Sequence, residues 1–131
     1  MDNLFPIHGG CDIHIEGNIM IIDASGPWNM EYFTQLHLSL NEAAKNINIK
    51  HYGVLLRLSG QAIAVEGGLE IHSKFVSKSN VKAMALDFSC CESSPISKKL
   101  FTKAYNLANI HFEIFDNGDD AKEWLVDALS P

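Results

Sequence analysis

Cys11-Asp12-Ile13-His14-Ile15-Glu16-Gly17-Asn18-Ile19-Met20-Ile21-Ile22 changes its hydrophobic pattern half-way along, at a tight turn. In its first half Ile13 and Ile15 point one way and Asp12, His14 and Glu16 the other, as in a strand with one face in water. Gly17-Asn18 is a two-residue hairpin turn. The second half, Ile19 to Ile22, has no alternation, so it predicts a strand covered on both faces. A half-wet strand turned tightly onto a fully buried one predicts an antiparallel edge beside the centre of a layered sheet.

Downstream the chain alternates. Gly26-Pro27 ends the buried strand, and Asn29 is placed to cap a helix over about 30–47 with Phe33, Leu36, Leu40, Ala44 and Ile47 inward and Leu38 outward. Val54-Leu55-Leu56 marks a second buried strand over 53–58. A helix over about 65–79 follows, with Val65, Leu69, His72 and Val76 inward. Residues 81–88 form a third apolar strand. Pro95 suits the first turn of a helix that runs to about Ala108, with Ile96, Leu100, Ala104 and Leu107 inward. Ile110, Phe112 and Ile114 alternate with His111 and Glu113, which predicts a second edge. Asn117-Gly118 turns the chain into a final helix opened by Asp119 and Asp120, with Ala121, Trp124, Leu125 and Ala128 inward. The order is β-β-α-β-α-β-α-β-α: one α/β domain over 1–131 with a mixed, mainly parallel sheet of about five strands.

The 131 residues suit a single domain, and 47% hydrophobic with 20% charged residues is a globular composition. A net charge of −6 argues against binding nucleic acid or an anionic membrane through a basic face. The charge is uneven: Lys74 to Lys103 holds six lysines against Asp87 and Glu92. Solvated helix faces account for this cluster more simply than an anion site. No apolar run reaches the roughly 20 residues of a membrane span. Leu4-Phe5-Pro6-Ile7 is too short, and lacks the basic flank, for a signal peptide. Three cysteines, two of them adjacent, do not form a disulfide framework, so free thiols and a cytoplasmic setting are expected.

Ser25-Gly26-Pro27-Trp28-Asn29 after the second strand, Val54-Leu55-Leu56, and the ending Phe115-Asp116 … Ala121 … Trp124-Leu125 resemble the SpoIIAA-like branch of the STAS superfamily over nearly the whole chain. The resemblance implies a fold shared with the CRAL-TRIO lipid-binding domains. It also implies one of two kinds of role: that of the many small bacterial members with no assigned activity, or that of anti-sigma-factor antagonists switched by a phosphorylated serine at the start of the second helix. The family's Asp-Ser-x-Gly-Leu-like run is here Val65-Glu66-Gly67-Gly68-Leu69, with neither the Asp nor the Ser, so the switch does not carry over.

No phosphate loop, CxxC or HExxH pattern occurs, and we expect no cofactor. His8-Gly9-Gly10-Cys11 would hold a metal only with partners from elsewhere. His72 on an inner stripe, and His37 beside one, suit hydrogen-bonded core histidines. Ligands of open α/β sheets gather beyond the carboxyl ends of the strands, which here makes Trp28, Ser59, Gln61 and Cys90 the candidate ligand-binding residues. Trp28 either lines a pocket there or plugs the end of the core. The function expected is therefore non-enzymatic: a regulatory module that binds a small apolar ligand or a partner protein. One alternative is an enzyme with Cys90 or Cys91 as a nucleophile lowered in pKa by the following helix. Another is a homodimeric interaction module without a ligand.

Overall fold

The computed structural model describes residues 9–65, 67–92 and 94–130. His8 and Glu66 lie outside them, and so does the Leu4–Ile7 segment. A five-stranded sheet in the order β1-β2-β3-β4-β5 is formed by β1 (Gly10–Glu16), β2 (Ile19–Trp28), β3 (Gly53–Ala64), β4 (Ala83–Cys91) and β5 (Phe112–Phe115). β1 runs antiparallel to β2, and the other neighbours are parallel. The three continuous apolar segments are central and the two alternating ones are edges, as the patterns require.

The strand order never reverses. Right-handed crossovers that all step in one direction put their helices on one face. Accordingly α1 (Met30–Ala43), α2 (Gly68–Ser77) and α3 (Ser94–Leu107) pack side by side over Met20, Ile22, Val54, Leu56, Leu58, Met84, Leu86 and Phe88. The last helix, α4 (Gly118–Ala128), covers the opposite face at Ile19, Ile21, Leu55, Ala83 and Ala85. It can lie close because Gly53 has no Cβ: one placed there would meet Leu125 at 2.8 Å and Leu129 at 2.9 Å. Beyond α4 this face is polar, and Arg57 makes a bidentate pair with Asp23 at 2.6 and 2.8 Å.

The caps are where the side-chain chemistry puts them. Asn29 Oδ1 accepts from the Tyr32 N–H, and Asn117 Oδ1 accepts from the N–H groups of Asp119 and Asp120. Leu38 is exposed and His72 buried, as read from the sequence.

Three inner stripes differ from expectation. α2 begins at Gly68 rather than 65, which leaves Val65 exposed. In α3 the buried residues are Ser97, Phe101, Ala104 and Tyr105, while Ile96 and Leu107 are exposed. The helix has turned by about one residue to bury its two rings, whose area exceeds that of the aliphatic stripe. In α4, Leu129 is buried and Ala128 exposed. α1 also stops short of 47, tightening into a 3₁₀ turn over Ala44–Asn46.

Candidate ligand cavity

β2 and β3 do not stop at the residues read as turns. They stay paired through Ser25–Ser59 and Gly26–Gly60 to Trp28–Ala64. Gly26 is required there, because a Cβ would fall inside the Gln61 carbonyl of the next strand. This extension sets Trp28 over the carboxyl end of the core, 3% exposed. Its ring stacks on Tyr32 with centroids 5.5 Å apart and meets Phe33 and Phe101 edge-on at 6.5 and 5.9 Å. A Cβ at Gly68 would strike the Phe33 ring at 2.6 Å, so the bare start of α2 is what lets α1 close against it. Trp28 therefore seals this end. Its indole N–H is buried and finds no acceptor among the described residues.

Behind the seal lies a cavity of about 230 Å³ between the sheet and α1, α2 and α3. Met20, Ile22, Val54, Leu56 and Met84 form its floor, with Leu36, Leu40, Phe75 and Val76 above. The wall residues that reach solvent lie at the amino ends of the parallel strands: Asn41 and Ala44 at the end of α1, Ile49 before β3, and Lys78, Ser79, Asn80 and Val81 between α2 and β4. Ile49 is 48% exposed. The Tyr52 ring stands just inside this mouth, its hydroxyl hydrogen-bonded to Ser79.

One polar chain crosses the cavity wall and ties the three helices together. His72 Nδ1 on α2 is 3.1 Å from His37 Nε2 on α1, and His72 Nε2 is 3.0 Å from the Tyr105 hydroxyl on α3. A neutral imidazole has one donor and one acceptor nitrogen, so the chain is satisfied when it runs in one direction. Burial, with the neighbouring His37 adding to it, pushes His72 down to about 3; burial lowers His37 as well. His37 stacks on Phe75 with centroids 4.0 Å apart. Both histidines are hydrogen-bonded, His72 within the core as its stripe position suggested and His37 half-buried beside it.

Of the residues expected to bind a ligand, Trp28 lines the closed end of the cavity. Ser59, Gln61 and Cys90 do not line it. They lie at the carboxyl end of the sheet, Ser59 opposite Ser25 and Cys90, with Gln61 and Cys90 exposed. The rim rule depends on a crevice where the strand order reverses, and this sheet has no reversal. Cys11 and Cys90 are free thiols. Cys90 Sγ has the Ser89 hydroxyl 4.0 Å away. The described histidines with recorded contacts are engaged elsewhere: His14 with Glu16, His37 with His72, His51 with Leu129 and His111 with Trp124. Burial pushes the Cys11 thiol up, partly offset by a hydrogen bond with Tyr32.

Tyr52, Tyr105 and Phe101, all in the wall, were not singled out in the sequence. Tyr52, directly before the buried strand, and the polar run Lys78-Ser79-Asn80 before β4 were the available signals.

An uncharacterized protein of the DUF3478 family from Shewanella loihica PV-4 superposes on this chain with a TM-score of 0.62. The match covers 95% of this chain and 99% of that one, at 14% identity. The fold is SpoIIAA-like. The expected architecture is thus borne out, while identity at this level carries no function across. No family model matches the sequence, and no curated protein matches it. Among the described residues no helix is long and apolar enough to cross a membrane.

Proposed function

We propose that this protein is a non-enzymatic binding module that holds a small apolar ligand in the cavity between its sheet and α1–α3. The observation that carries this reading is the cavity itself, apolar within and open at one end. Interiors pack at crystal density, and an apolar void of about 150 Å³ already accepts benzene. Leaving 230 Å³ unfilled forfeits dispersion contacts along the whole wall. A guest restores them and brings no polar group that needs a partner inside.

Decanol serves as an uncharged probe. Titrated into ¹⁵N-labelled protein, it should move the amide signals of Leu40, Ile49, Tyr52 and Ser79 to Val81. Ser59, Gln61 and Cys90 should stay nearly still. Shifts concentrated at those three residues, or none anywhere, would overturn the reading.

A further inference from the structure

We infer that the ligand is a small amphipathic anion, such as a carboxylate on a chain or ring, seated tail-first with its charge beside Lys78. This inference rests on the cavity reading above and adds the class of ligand.

The size follows from proportion. If about 150 Å³ takes the six carbons of benzene, this cavity takes about nine non-hydrogen atoms. The orientation follows from where polarity lies. Toward Trp28 the wall is aromatic and aliphatic: His72 and Tyr105 are already bonded to one another, Tyr32 to Cys11, and the Trp28 indole N–H is buried with no acceptor among the described residues. A charge pushed to that end would be desolvated with no more than that one neutral donor to meet it, which is the costlier arrangement. At the mouth stand Asn41, Lys78, Ser79 and Asn80, and among the described residues Lys78 is the single charged one of the wall.

The loops that frame the mouth have a charge of one sign. Residues 44–52 and 77–83 hold Lys45, Lys50, Lys78 and Lys82 and no acid, in a chain whose net charge is −6. Lys45 is engaged by Glu42 at 3.0 Å. The other three have no recorded ion pair among the described residues. Opposing effects are the negative ends of α1 and α2, which both lie at the mouth. Both are blunted: the Ala44 N–H caps the carbonyls of Leu40 and Glu42, the N–H groups of Lys78 and Ser79 cap those of Phe75 and Val76, and the Ser79 hydroxyl adds a second bond to Val76. The balance at the mouth favours a negative head group.

The test compares decanoate, decanol and decylammonium by calorimetry at low ionic strength, on wild type, Lys78→Gln and Lys122→Gln. Lys122 lies on α4, across the sheet, paired to Glu16 at 3.0 Å. Wild type should bind decanoate about three- to fivefold tighter than decanol, the upper part of the range for one exposed ion pair. Decylammonium should bind more weakly than decanol. The decanoate preference should fall to within about twofold in Lys78→Gln, persist in Lys122→Gln, and shrink with added salt. Decanol binding as tightly as decanoate, or an unchanged preference in Lys78→Gln, would overturn the anion inference while leaving the cavity reading standing. No binding of any of the three would overturn the cavity reading itself.

Discussion

The two ends of this sheet are built from opposite materials. At the carboxyl end β2 and β3 run on past the core, and Trp28, Tyr32, Phe33 and Phe101 close over it with ring against ring. At the amino end short polar loops meet the ends of α1 and α2, and the cavity opens between them. The lesson is topological. In a sheet whose strand order reverses, helices diverge and leave a crevice at the carboxyl ends. Here the order is monotonic, α1–α3 share one face, and the free space lies where the helices end instead.

If the carboxyl end is a seal, damage there should cost stability heavily. Trp28→Ala should lose about 3–5 kcal/mol, the usual cost of truncating a buried tryptophan. Gly26→Ala should lose about 3 kcal/mol, because the Cβ must displace the backbone of Gln61. Both are read from urea unfolding followed by circular dichroism. A loss under about 1 kcal/mol in either would mean that this end is loose and the comparison false.

The next effect lies between the ends. His72 and His37 both have folded-state values below the ordinary 6.5. The unfolded chain therefore binds more protons as pH falls through 6.5, and stability present above that value is lost toward the folded value of His72 near 3. Between pH 6 and 4.5 wild type should lose on the order of 1.4 kcal/mol per pH unit through His72, with His37 adding a loss of the same sign. In His72→Gln, whose amide offers both a donor and an acceptor, the slope should be smaller by about that amount. An unchanged slope would show that His72 is not held neutral by burial.

The smallest effects belong to single atoms and to the mouth. Trp28→Phe should cost under about 1.5 kcal/mol, since it keeps an aromatic ring and removes an N–H that has no acceptor among the described residues. Ile49→Ala should change stability by no more than about 0.5 kcal/mol, because Ile49 is half exposed. The same variant should weaken decanol binding measurably by titration. Equal stability losses at Trp28 and Ile49 would erase the distinction between the two ends.

What the sequence made legible was local. Alternation against continuity in residues 11–22 and 110–114 marked which strands are edges, and Asn29 announced its cap through a short side chain that reaches only the next turn; Asn117, read as a turn residue, is also the cap of α4. The serine-less run at 65–69 could be read directly. The α3 stripe could not be phased, because residues 96, 100, 104 and 107 and residues 97, 101, 104 and 105 both fit a helical face; only packing against Trp28 and Phe88 favours the second. The extension of β2 through Gly26-Pro27 ran against the usual meaning of those residues and depended on the close approach of Gln61. The cavity was the least legible feature of all. It is made by the spacing of three helices over a sheet, and the order of the strands, which decides its open end, is written in no single segment.

Calorimetry of decanol binding to wild type and to Ala44→Phe shows whether a ligand enters through the mouth at the amino end. Ala44 is in the wall at the mouth and only partly buried, so a phenyl ring there blocks the passage while leaving the sheet and the Trp28 seal untouched. Wild type should bind decanol saturably, and Ala44→Phe should lose that binding with the unfolding midpoint in the absence of decanol unchanged or higher. Decanol bound equally well by both proteins would contradict it, because the ligand would then sit somewhere other than behind the mouth at the amino end of the sheet.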